Sequence, residues 1–358
     1  MHVIDYLYQY QNISFKDVPF NECDALLLSL ASYFPFDELN HSQLIYKSKD
    51  LVSLISNYNP SFDTSERKKK YIEIVLELCK SIRFRDIKFG FYVRKRDEVE
   101  AKQFQAVTII LKNFVFISFC GTDSTTLGWK EDFNMAYLDT IPSEIEASKY
   151  AEQIMRKFLF SKFYFGGHSK GGRLAITALK NVRKPRRVIN VFSFDGPNYP
   201  DSFYDEQYEN IKRKIITYTP DESIIGRLMT PNRKPLIVAS SNRLLMQHDA
   251  LSWVIDGHHF VLKESYTPSS DKIVKSINRA FLNYDNETKK TFVDSLFDLL
   301  ERLNIETLPN ENNILLFIKD HLFNIRGEWK NTNKESRDTL KKITFEIVKD
   351  YFLSFREN

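Results

Sequence analysis

Cysteine is scarce in this chain of 358 residues: only Cys23, Cys79 and Cys120 occur, odd in number, far apart and without a Cys-x-x-Cys pairing. Neither a disulfide framework nor a cysteine-rich zinc site fits that pattern. Seven histidines include no His-Glu-x-x-His, so a helical zinc hydrolase site is not supported, and neither metal nor cofactor is expected. Long apolar runs are missing as well. No stretch approaches the roughly 18 residues of a spanning helix. The start, Met1-His2-Val3-Ile4-Asp5-Tyr6, lacks the basic and then apolar order of a signal peptide. A cytoplasmic, reduced protein is the expectation. Charge of one sign is also slight, with 51 basic against 47 acidic residues and a net +4. That is too little for a dense nucleic-acid-binding face. Short basic clusters at 67–70 and 183–187 read as solvated surface.

Aromatic residues are what the chain has in quantity. Its 29 Phe and 18 Tyr suffice for a large core, and some are available to line an apolar cleft. Their pattern divides the chain in three. Residues 1–102 read as a mainly helical region, with apolar residues at helical spacing over 24–33 and 69–82 and a loop around Pro60. Residues 103–265 change period. Two runs rich in Val, Ile and Phe, 104–111 and 114–119, flank Lys112-Asn113 as a hairpin. Helical periodicity over 143–160 follows, with Ser143 and Glu146 as a capping box. A short strand over 162–165, a second helix to 180, and buried strands at 188–194, 215–219 and 236–239 complete an alternating order. Strands alternating with helices imply a mainly parallel sheet covered on both faces. Residues 266–358 return to helical spacing, read as core packing.

The sharpest local signal is Gly167-His168-Ser169-Lys170-Gly171, a Gly-x-Ser-x-Gly between a strand and a helix. A serine presented on such a turn needs a strained backbone, and side chains two positions to either side would collide, hence Gly167 and Gly171. A serine hydroxyl is a poor nucleophile without a base, usually histidine, oriented by a carboxylate. At turns of this kind the chain order is serine, acid, histidine. Asp221, just after the strand at 215–219, is favoured as the acid over Asp195, with Glu222 third. His248, after the strand at 236–239, is favoured as the base over His258 and His259, and His168 lies inside the turn itself. The developing oxyanion needs two donors already in place. The backbone N–H of Lys170 is one, and the loop Gly121-Thr122 offers the other through Thr122.

Gly121-Thr122, Trp129, Asp132 and Gly167-His168-Ser169-x-Gly171-Gly172-x-Leu174-Ala175 together resemble the class 3 (fungal-type) lipase family. The wider pattern, with Asp195-Gly196-Pro197 and Gln247-His248-Asp249, looks like a bacterial lipase-like branch of that group. The resemblance implies that Thr122 supplies the second oxyanion donor and that Asp132 holds its hydroxyl. Cys120 and Lys170 stand where those lipases usually carry Arg and an apolar residue, and the family's more distant histidine keeps His259 and His321 open. The expectation is therefore an α/β-hydrolase fold with extra N- and C-terminal helices. It would cleave carboxylic esters, small or lipid, through Ser169, His248 and Asp221. The alternative is an inactive binding protein on the same fold. Peripheral contact with a membrane surface and the oligomeric state stay open.

Overall fold

The computed structural model describes residues 1–39, 43–58, 65–229, 231–307 and 327–354. His321 and the centre of the loop around Pro60 lie outside them. The chain opens with helices α1 (Val3–Tyr10) and α2 (Glu22–Leu30), a short strand β1 (Ile45–Lys47), and helices α3 (Ser48–Ser56) and α4 (Glu66–Lys80). Strands β2 (Lys88–Asp97), β3 (Lys102–Ile110) and β4 (Val115–Phe119) follow as antiparallel neighbours. The hairpin at Lys112-Asn113 is present, closed by Leu111 N–H donating to the Phe114 carbonyl at 3.0 Å. Then come α5 (Thr126–Asn134), α6 (Pro142–Lys157), β5 (Phe163–His168), α7 (Lys170–Asn181), β6 (Val188–Phe194), α8 (Glu206–Ile211), β7 (Ile215–Pro220) and β8 (Leu236–Val238). Short strands β9 (Ile255–Asp256), β10 (His259–Phe260) and β11 (Leu262–Lys263) precede helices α9 (Pro268–Leu282), α10 (Asn286–Arg302) and α11 (Lys334–Ser354).

Among the described residues, nine strands form one sheet in the order β1-β2-β3-β4-β5-β6-β7-β8-β11. The five strands from β4 to β8 are mutually parallel, whereas the pairs at both flanks are antiparallel. The fold is thus α/β with a mixed sheet, where a mainly parallel one was expected. The difference arises because the first region, expected to be mainly helical, contributes β1 and β2 to the same sheet. The alternation of β2, with exposed charges at its far end, is weak as a buried-strand signal.

The sheet's pleat sorts its side chains between two cores. Val115, Ile117 and Phe119 of β4 and Phe163 and Phe165 of β5 pack with Ala147 and Ala151 of α6 and Leu174 and Ala178 of α7. Phe116, Phe192 and Phe194 face the other way, onto Ala25, Leu26 and Leu28 of α2 and Val3 and Tyr6 of α1. The N-terminal helices therefore cover one face as integral core. A buried ion pair fastens them: Arg83 Nη2 meets Asp24 Oδ2 at 2.5 Å, and Tyr6 Oη donates to Asp24 Oδ1 at 3.0 Å. The same guanidinium donates to the carbonyls of Ile13, Val18 and Pro19. A third apolar cluster joins α10 and α11 to Trp129 and Phe133 of α5.

Ser143 does not cap α6. The helix starts one residue earlier at Pro142, whose fixed φ and missing N–H suit the first helical position, and Glu144 Oε2 accepts from Ile141 N–H at 2.9 Å. Ser143 is instead buried against Glu131.

Candidate active site

Ser169 stands between β5 and α7 with φ 59° and ψ −134°, a backbone state that costs a non-glycine residue about 1–3 kcal/mol. Close packing holds it there. A Cβ on Gly167 would fall on the Gly171 carbonyl, and one on Gly171 on the Phe119 carbonyl oxygen at the end of β4. Both positions must therefore be glycine for the turn to close. The Ser169 N–H donates to the Phe194 carbonyl of β6 at 2.9 Å, which locks the turn onto the neighbouring strand. The serine keeps 8% of its surface. Beyond it, the Lys170 N–H belongs to the first turn of α7, where backbone donors have no intrahelical acceptor.

His248 ends a short 3₁₀ turn, Leu244–His248, and its Nδ1 lies 2.6 Å from Asp195 Oδ2. Asp195 is fully buried, follows directly on β6 and has φ 53°. Its other oxygen accepts from Ser223 Oγ at 2.6 Å, so both carboxylate oxygens are used. Asp221, favoured over Asp195 in the sequence, is not the residue that His248 meets. It lies beyond β7, one strand further from Ser169, and engages through its backbone: its N–H donates to the Val238 carbonyl at 3.1 Å, and its own carbonyl accepts from Thr267 N–H at 3.0 Å. Glu222 instead braces the histidine turn, with Oε2 accepting from Leu244 N–H at 2.7 Å and its own N–H donating to Gln247 Oε1 at 2.8 Å.

His168 reinforces the same arrangement, a role that no motif in the chain signals. Its ring lies 4.7 Å from that of His248, centroid to centroid. Nε2 bonds to the His248 carbonyl at 2.7 Å and Nδ1 to Tyr33 Oη at 3.1 Å. A carbonyl only accepts, so Nε2 carries the proton and Nδ1 takes the tyrosine proton. Burial first, and then the nearby His248 charge, push its pKa well below the usual histidine value, which keeps it neutral. His259 pairs with Glu22 at an exposed position and His258 sits against Tyr10, both on the β9–β10 side of the N-terminal helices.

The loop after β4 comes close to the serine. A Cβ on Gly121 would lie 2.7 Å from the His168 carbonyl and 3.1 Å from Ser169 Cβ. Next to it, Thr122 Oγ1 donates to Asp132 Oδ2 at 2.5 Å. Burial pushes the Asp132 carboxyl up to about 6 against the pull of Lys170. The Lys170 side chain is turned inward, onto Gln103 and Glu131. A separate cavity of about 510 Å³ opens beside β6 and β7, lined by Gly196, Pro197, Tyr199, Arg227 and Tyr266; Ser169 is not among its walls.

A family model described as Mbeg1-like matches residues 78–298, well over half of the chain and every residue of this constellation except Tyr33. The chain belongs to the Mbeg1-like family, a lipase-like family. Among solved structures it is similar to M37 lipase, with 14% identity over 67% of this chain and 84% of that one and a TM-score of 0.38. A mutant form of MDLA from Penicillium cyclopium gives 10% identity, 72% and 86% coverage and a TM-score of 0.41. The native Rhizomucor miehei lipase propeptide complex gives 9%, 62% and 70%, and 0.36. No curated protein matches the chain.

Proposed function

We propose that this Mbeg1-like protein is a serine hydrolase of the α/β-hydrolase fold that cleaves carboxylic esters through Ser169, His248 and Asp195. The observation that carries the reading is the 2.6 Å pair of His248 Nδ1 with a fully buried Asp195, beside a serine on a strained strand-to-helix turn. With Nδ1 bound to the carboxylate, Nε2 is the nitrogen that would act as base. Ser169 Oγ attacks the ester carbonyl carbon and its proton passes to His248 Nε2. The negative charge that forms on the carbonyl oxygen is taken up by the Lys170 N–H and Thr122. The C–O bond to the alcohol then breaks, and the imidazolium returns its proton to the leaving alkoxide. Water, deprotonated by the same nitrogen, releases the acid from the acyl-serine.

Membership of a lipase-like family supports a lipid ester as substrate. So do Leu244, Leu245 and Met246, exposed on the turn that carries His248. Among the described residues no helix is long and apolar enough to cross a membrane. The test is turnover of short- and medium-chain p-nitrophenyl esters together with labelling by a fluorophosphonate probe. Wild type is expected to turn over and label at one site, and Ser169→Ala to do neither. Wild type that is folded yet inert in both assays supports a binding protein on an inactive hydrolase fold instead.

A further inference from the structure

Lysine is a costly residue to bury directly after a nucleophile-bearing turn, and Lys170 is only 1% exposed. Its three ammonium protons are all placed, on the Gln103 carbonyl at 3.0 Å, Gln103 Oε1 at 2.7 Å and Glu131 Oε2 at 2.8 Å. Glu131 is as deeply enclosed and also accepts from Gln103 N–H at 3.0 Å, Ser143 N–H at 2.8 Å and Ser143 Oγ at 2.7 Å. Such a pair gains little stability over well-packed apolar residues. Its effect on a neighbour offers a better account. Asp132 Oδ2 accepts the Thr122 hydroxyl, but Oδ1 is buried without a hydrogen bond, 3.7 Å from Lys170 Nζ.

We propose that Lys170 is a positioning residue: its ammonium keeps Asp132 an anionic acceptor, and Asp132 thereby holds Thr122 in place for the oxyanion. This rests on the ester-hydrolase reading above. The charges facing Asp132 come from three elements: Lys170 on α7, Glu131 on its own helix α5, and His248 on the turn before β9. Asp123 acts on Lys170 as well. Burial raises the Asp132 carboxyl, Lys170 and the Thr122 bond lower it, Glu131 raises it and His248 lowers it. Burial would lower the Lys170 ammonium, but Glu131 and Asp132 outweigh it and raise it above the ordinary lysine value. Lys170 therefore stays charged while Asp132 is poised. A protonated Asp132 loses the charge that strengthens its bond to the Thr122 hydroxyl, and a proton on Oδ2 itself would reverse that bond.

Two variants of opposite sign test this. Lys170→Met removes the cation and should raise the Asp132 midpoint by about one to three pH units. The acid limb of fluorophosphonate labelling should move with it, with labelling at pH 7 reduced by about twofold for a shift of one unit and about tenfold for a shift of two, and recovered as pH rises past the new midpoint. Glu131→Gln removes the facing anion and should move both midpoint and limb to lower pH. The midpoint is read without catalysis, by carboxyl ¹³C NMR titration with the resonance assigned through Asp132→Asn. Should Lys170→Met fail to fold, Glu131→Gln and the doubly neutral Lys170→Met/Glu131→Gln carry the test. The double variant should titrate below Lys170→Met and above Glu131→Gln, and the second comparison isolates the ammonium even where the single lysine variant does not fold. A purely structural role lowers labelling equally at every pH. Labelling by wild type with a midpoint and limb unmoved in these variants overturns the positioning role alone. Wild type that labels at no pH removes the hydrolase reading, and the role falls with it.

Discussion

At the scale of single residues, Asp195 and Asp221 separate cleanly. Asp195→Asn leaves the shape of the site but loses the anion that orients and charges His248, so kcat for ester hydrolysis should fall by about four orders of magnitude. Asp221→Asn should stay within about threefold of wild type, because its contacts are made by its backbone. A second prediction concerns His168. Its pKa is lowered in the folded protein, while the unfolded chain titrates near 6.5. The unfolded state therefore binds more protons below that pH, and stability is lost as pH falls from about 6.5. Asp132, raised to about 6, acts in the opposite sense between about 4 and 6, so the total profile mixes the two. The difference in melting temperature between wild type and His168→Asn isolates the histidine, and it should shrink as pH falls from 7 to 5. A difference that is constant with pH would contradict the neutral, buried assignment.

Among the elements, the turn between β5 and α7 is the most demanding. Gly171→Ala sets a methyl group against the Phe119 carbonyl, a backbone atom held in the sheet, so it should cost about 3 kcal/mol or more. Thermal melting would read that loss, and an unchanged melting temperature would contradict the packing. This turn was the most legible part of the sequence because its constraint is local: five residues state it. The hairpin and strands β4 to β7 were legible for the same reason, since apolar runs and turn residues mark them without knowledge of partners. The acid was not. Asp195 and Asp221 both follow strands, and only the route of the 244–248 turn decides which of them His248 meets. Chain order cannot carry that information. The inward Lys170 likewise reads as a departure from the lipase pattern until Glu131 and Gln103 are seen around it. Strand β2 escaped notice because its far half is charged and solvent-facing.

For the whole molecule, the N-terminal helices matter most, because they form half of the core beneath the sheet. Arg83→Met would leave Asp24 buried without its cation and release three backbone carbonyls, at a cost of about 3–5 kcal/mol. Urea unfolding monitored by far-UV circular dichroism should show the midpoint moving down in a single transition. A separate early transition for the N-terminal helices, with the rest unaffected, would mean that they are appended to the core and not built into it.

The two margins of the sheet have a consequence of their own. On one side β11 is two residues long, and on the other β1 covers only Lys88–Gly90 of β2. The uncovered stretch of β2 ends in Arg94-Lys95-Arg96-Asp97, whose exposed cations pair with Asp37, Glu146 and Asp123, and such a row of charges is a poor template for another strand. A nine-stranded sheet rich in phenylalanine would otherwise invite growth by edge-to-edge addition. Here that route is closed electrostatically at one rim and by brevity at the other, so concentrated solutions should resist fibre formation as long as those cations remain.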